Sequence, residues 1–376
     1  MSLRIVIVVG TLASAVAIAA AVRVAASSEA SSAASSAASR AASRAASSAA
    51  AAGRTARSES PAPARADAAS CSTCHAAEWS EWEGSRHAAA WRDPIFQSEF
   101  AHGRPAWCVG CHAPLAPDRT APSDQDSRVS AGVACAVCHD RAGQMVSTRR
   151  APTSPHATVV DKDFGSPAFC ASCHQFNFPI LGEQGRLVHY TSEPMQATVA
   201  EWRASGVGAD CADCHADSPA QHAFRGSHDP ERVASALAIS VCRSRATLEV
   251  ALVNRGAGHN VPSGGVHRRM VVRAWRSSAP ERLAEYTLGR RFRPLSGGGK
   301  ETVRDTTIAP GATRTARFAL ATLGAAAGDP AVNVELRYIY ALDEHVQLPT
   351  DVSKQIWYAR FEPRDLPVCE RVRTAR

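Results

Sequence analysis

The sequence predicts an α+β protein in two parts. A mainly helical and irregular unit over residues 70–238 is followed by a β-rich unit over 239–370, whose strand pattern suggests an immunoglobulin-like sandwich. Three observations predict this. A Cys-x-x-Cys-His pentapeptide recurs five times between Cys71 and His215. Beyond residue 246 the pattern switches to short apolar–polar alternation broken by turn residues. An Ala/Ser-rich stretch with almost no large apolar side chain separates both parts from the N-terminus. The 376 residues, 45% hydrophobic and 20% charged, suffice for two domains of ordinary size once that stretch is set aside.

Residues 1–23 read as an export signal, with Arg4 as its positive start and an uninterrupted run from Ile5 to Val22 before Arg23. The run is also just long enough to remain as an inner-membrane anchor through residues 5–22. Its Ala and Gly content favours cleavage between Ala20 and Ala26. The expected location is therefore the periplasm or the cell exterior. Residues 24–69 read as a disordered Ala/Ser/Pro linker: many serines and no apolar stripe argue against a packed helix. The formal charge is +7, but many of the arginines lie in the N-terminal tail and near the C-terminus. No single basic face results, and no nucleic-acid partner is expected.

The five pentapeptides are Cys71–Cys74–His75, Cys108–Cys111–His112, Cys135–Cys138–His139, Cys170–Cys173–His174 and Cys211–Cys214–His215. Positions i, i+3 and i+4 share one face of a helical turn. Two thiols can then form thioethers with a haem while the imidazole rises to its iron, so attachment and proximal ligation come from one turn of chain. Zinc sites and a disulfide framework are the competing readings. Five complete copies on an exported chain favour five covalently attached haems c. From Cys71 to His228 that leaves roughly 32 residues per haem, too few for separate cores, so the haems must form much of the interior.

Each iron needs a group on its far side, and that group decides between electron carrier and open catalytic site. Outside the motifs stand His87, His102, His156, His189, His222, His228, His259, His267 and His345, while methionine is scarce. Ligation by two histidines is the expectation. His87, in WEGSRHAAAW, is read as helical and flanked by Trp82 and Trp91. His222 and His228 follow the fifth motif around a glycine, and His156 lies on a loop before the fourth.

The stretches SRHAAAW, GVACAVCH, FCASCHQFNFP, PMQATVAEW, CADCH with HAFRGSHD, and NRGAGHNVPSG resemble the multihaem cytochromes c related to the tetrahaem and octahaem cytochromes of nitrogen metabolism. The resemblance covers roughly residues 71–320. It implies a helical haem domain followed by a β-rich domain, and it places His87, His156, His222, His228 and His259 on the distal-ligand positions. His259 lies in the Gly-rich loop Gly256–Gly265; as a ligand it would clip the second domain to the first.

Past a helix near Pro230–Ala238, strands are expected at 247–254, 269–275, 302–308, 313–320 and 332–340. Cys242 and Cys369 bracket this domain and are suited to a disulfide in an oxidising compartment, with two free buried thiols as the alternative. No nucleophile–base pair and no phosphate loop stands out here. The functional expectation is an electron carrier whose partners are other cytochromes or quinol-oxidising complexes. An oxidoreductase for a small nitrogen or sulfur compound at one open haem is the competing reading, and a subunit of a surface electron conduit a third. The enzyme type with a lysine in place of the proximal histidine is not supported, since all five motifs end in histidine.

Overall fold

The computed structural model describes residues 68–148, 156–218, 220–324, 331–341 and 352–369. The expected export segment, the linker up to residue 67 and His345 lie outside the described residues. No described helix is long and apolar enough to cross a membrane.

The first part is built from short helices: α1 (Ala76–Glu83), α2 (Pro94–Ala101), α3 (Ala106–His112), α4 (Ser127–Ser130), α5 (Cys135–His139), α6 (Pro167–His174), α7 (Thr198–Ser205), α8 (Cys211–His215) and α9 (Pro230–Ala236). Local chemistry sets their starts. Asp93 accepts from the amides of Ile95 and Phe96 ahead of α2, Ser166 from Phe169 ahead of α6, and Asp210 and Asp213 cap α8 reciprocally. Pro stands in the first turn of α2, α6 and α9, where its missing N–H costs nothing.

Between these helices run β1 (Asp140–Arg141), β2 (Gln144–Ser147) and β3 (Thr158–Val160), then the hairpin of β4 (Gln175–Leu181) and β5 (Leu187–Ala197). This hairpin lies in a region expected to hold only helices and loops. Gln175, Phe176, Asn177 and Phe178 are buried in succession, so β4 shows no alternation that could have revealed it.

The second part comprises β6 (Leu237–Ser244), β7 (Thr247–Asn254), β8 (Arg269–Arg276), β9 (Ala279–Pro294), β10 (Lys300–Asp305), β11 (Thr313–Ala319), β12 (Val332–Ile339) and β13 (Ser353–Phe361). They form a five-stranded sheet in the order β10-β9-β8-β12-β13 and a three-stranded sheet β11-β7-β6. The α+β class is thus observed. Leu248, Val250 and Leu252 of β7 meet Met270 and Val272 of β8 and Val334 and Leu336 of β12 in one core. β7 obeys the two-residue period throughout, every second residue being buried.

Two boundaries differ from expectation: β10 runs over Lys300–Asp305 rather than 302–308, and the junction of the two parts is moved. Leu237 begins strand β6 rather than ending a helix, and its register against β7 runs without a break from Leu237 opposite Asn254 to Ser244 opposite Thr247. Cys242 and Cys369 form a disulfide with Cα atoms 5.0 Å apart, which binds the C-terminal segment to β6. The amide of Arg243 donates to the Pro367 carbonyl at 2.8 Å beside it.

Candidate functional site: paired imidazoles

Four of the five motifs end on a helical turn, at the C-termini of α3, α5, α6 and α8; the first straddles the 3-10 turn Ala68–Cys71 and the start of α1. The turns lie against one another. The thiols of Cys71 and Cys135 share a hydrogen bond, as do those of Cys170 and Cys211, so the first motif touches the third and the fourth touches the fifth.

The histidines fall into pairs. His75 faces His156 with ring centres 6.1 Å apart, His87 faces His174 at 6.3 Å, His139 faces His222 at 6.1 Å, and His215 faces His259 at 6.2 Å. A coordinated imidazole nitrogen sits about 2 Å from its metal and the ring centre roughly 1 Å beyond, so two imidazoles on opposite sides of one iron have centres roughly 6 Å apart. Each observed pair joins one motif histidine to one from elsewhere in the chain. The donor set therefore fits a haem iron at four places. A zinc framework needs ligands converging in larger groups, and among the described residues no group of three or more His, Cys, Asp or Glu does so.

The ring nitrogens are oriented for this. Nδ1 of His112, His139, His215 and His259 lies 2.7, 2.9, 2.7 and 2.8 Å from the carbonyls of Ala90, Val146, Arg225 and Asn260, and Nδ1 of His222 contacts the Ala220 carbonyl. A carbonyl only accepts, so the proton sits on Nδ1 and the Nε2 lone pair is left for a metal. Burial disfavours the charged form of His112, His139, His215 and His259. It pulls the His87 imidazole down to about 4, with His174 and His215 adding, and it lowers His112, His139, His174, His215 and His259 as well.

Backbone and side chains fix the distal histidines. Glu81 on α1 accepts from Ser218 Oγ at 2.6 Å and from the amides of Ala220 at 3.1 Å and His222 at 2.9 Å. The Ser218 hydroxyl, followed by the His222 amide, holds this carboxyl below the usual carboxylate range. His87 lies not on a helix but in the turns after α1. Its carbonyl accepts from Val133 at 2.9 Å, and Gly132 passes so close that a Cβ there would lie 2.7 Å from the same oxygen. The His259 loop is tied to the haem-motif unit by Glu201 of α7, which accepts from Ser263 Oγ at 2.6 Å and from the Asn260 amide at 3.2 Å. Burial raises the Glu201 carboxyl, against the pull of those hydrogen bonds.

His112 stands apart. Among the described residues no histidine ring faces it; Phe96 of α2 lies flat on it, centre to centre 3.6 Å and 6° from parallel. His228, placed among the distal ligands by resemblance, does not join the set. Its ring stacks on Tyr340 at 4.0 Å and its Nε2 lies 3.2 Å from Nη1 of Arg268, a donor that occupies the lone pair a metal would need. The reserve histidines lie elsewhere: His102 follows the end of α2, His189 pairs with Ile180 in the hairpin, and His267 approaches Glu99 at 3.8 Å. Sequence reading missed the aromatic groups among the pairs. Phe224 lies 4.8 Å from His87 and 6.2 Å from His222, between two of them.

Comparison with known proteins agrees with this geometry. The family described as cytochrome c554 and c-prime matches residues 70–140, a span holding the first three motifs. A penta-haem cytochrome c552 from Thermochromatium tepidum is similar in structure, with a TM-score of 0.61 at 18% identity over 77% of this chain and 97% of that one. No curated protein matches the sequence. This chain is thus similar to that cytochrome c family over its first three motifs and shares the fold of the penta-haem protein.

Proposed function

We propose that this chain carries five covalently attached haems c and moves electrons between partner proteins in the periplasm or at the cell surface. The observation that carries the reading is the set of four imidazole pairs spaced 6.1 to 6.3 Å apart, each completing one Cys-x-x-Cys-His motif. A haem bound at such a pair supplies a one-electron couple with no open coordination position. The protein supplies the rest: thiols for attachment, imidazoles, and carbonyls that hold the rings of His139, His215, His222 and His259 through Nδ1. The contacts between the first and third motifs, and between the fourth and fifth, support close haem neighbours. We read the two-sheet unit as an immunoglobulin-like sandwich that docks on this array and lends it His259. Other cytochromes or quinol-oxidising complexes are the partners this chemistry suits.

A second reading rests on His112, whose ring meets Phe96 where the other motif histidines meet histidine. A haem there could keep one face open to a small nitrogen or sulfur compound. Intact mass of the exported protein tests the first reading and is expected to show five haem additions with no free motif thiol; bare or mutually bridged thiols would refute it. Paramagnetic resonance of the oxidised protein then separates the two. Low-spin signals alone support the carrier, and a high-spin signal from one haem in five supports the open site.

A further inference from the structure

We propose that Phe224 is a positioning residue shared by two haem sites: its ring lies between the distal imidazoles of His87 and His222 and fixes the rotation of both. The inference rests on the reading of these two histidines as distal ligands. Phe224 stands 4.8 Å from His87 with the ring planes 61° apart, and 6.2 Å from His222 with the planes 80° apart. Both are edge-on arrangements within the range over which aromatic rings attract. His87 faces His174 of the fourth motif, and His222 faces His139 of the third. Thiol contacts join the first motif to the third and the fourth to the fifth, so Phe224 meets one member of each group.

An imidazole bound through Nε2 can still turn about the bond to its metal, and a hydrogen bond from Nδ1 ordinarily stops it. His222 has such a bond, to the Ala220 carbonyl. Among the described residues the His87 ring makes none, and Phe224 packs against it instead. The backbone holds the phenyl ring there at a cost. Phe224 has φ +45°, a left-handed conformation that glycine adopts freely and a residue with a side chain resists. Such strain persists only where the surroundings enforce it, and here both flanks are tied. Upstream, Glu81 accepts from the amides of Ala220 at 3.1 Å and His222 at 2.9 Å. Downstream, the Arg225 carbonyl lies 2.7 Å from Nδ1 of His215. One short loop, residues 220–225, thus reaches ligands paired with the third, fourth and fifth motifs: His222 within it, His87 through the phenyl ring and His215 through a carbonyl. Removing the ring alone leaves the loop tied at both ends and His87 free to turn.

The test is paramagnetic resonance of the oxidised, haem-loaded full chain, whose low-spin g values report how the ligand rings are turned. His87→Met and His222→Met first assign two of the signals. Phe224→Leu, which removes the ring, is expected to move both assigned signals and leave the others in place, with haem content unchanged. Phe224→Gly suits the left-handed backbone, so it removes the ring without the strain. It should give the same two shifts, and it serves if Phe224→Leu fails to fold. Assigned signals that keep their parental g values in both Phe224 variants would overturn the proposal. So would a shift of only one of the two, or an equal shift of every signal, which would make the ring general packing. Histidine variants that change no signal would overturn the ligand assignment itself, and the proposal with it, so the two failures are told apart.

Discussion

The two parts of the molecule bury their interiors in opposite ways. In the two-sheet unit Leu248, Leu252, Met270, Val332 and Leu336 close a single apolar core, each 1% exposed or less. In the motif-bearing unit the apolar clusters are small and separate: Trp91, Phe100, Val109, Ala113 and Val129 in one, Ala68, Trp82, Ala88 and Ala134 in another. The remaining interior is lined by imidazoles and by half-buried thiols. One part has the apolar side chains to fold as polypeptide; the other has arranged its interior around something it does not encode. Removing that group should therefore damage the two parts unequally.

The largest effect follows from withholding haem. With the ten motif cysteines replaced by serine, hydrogen exchange should lose protection across 76–215 while β7, β8 and β12 keep theirs; equal loss in both parts would break the comparison. Next comes the disulfide, which closes a separation of 127 residues and is worth about 5 kcal/mol in a chain-entropy account. Cys242→Ser should lower the unfolding midpoint of the sheets and leave haem content unchanged. A single core truncation, Leu336→Ala, should cost the same unit about 2–5 kcal/mol in denaturant unfolding, again without loss of haem. His259→Met sharpens the boundary between the parts: haem content should stay constant while one haem in five moves to higher potential, and an unchanged redox titration would separate His259 from the array.

The smallest effect is a pH dependence. His228 is held at about 3 in the fold by burial and nearby cations, against about 6.5 in the unfolded chain. The unfolded state takes up a proton that the folded state refuses. Stability is therefore fully present above about 6.5 and falls as pH drops towards 3. His228→Gln should flatten acid unfolding over that window, which equilibrium melts at several pH values would show.

What the sequence disclosed and what it hid divide along the same physical line. Local chemistry was legible: the five motifs read directly, and β7 and β12 match their expected bounds to within a residue. Distal assignment was harder, because His75 and His156, or His139 and His222, meet only through long-range packing. His228 shows the limit, since its sequence neighbourhood matched a ligand position while Arg268, 40 residues away, claims its lone pair. The strands β9 and β13 were missed for another reason. β9 carries exposed charge along much of its length, Arg282, Glu285 and Arg293 among it, and β13 sets Ile356, Trp357 and Tyr358 in succession, so little apolar period reached the sequence.

The loop of His259 carries a consequence for how the molecule is made. Its partner His215 is synthesised 44 residues earlier, so the fifth motif waits for a segment that arrives only with the first strands of the following unit. A nascent chain cut short before residue 259 would still hold every attachment cysteine, yet it would lack the imidazole that faces His215. On the proposed reading, completion of the fifth site thus becomes a report that translation went on into the sheets, and a truncated product would betray itself by its colour.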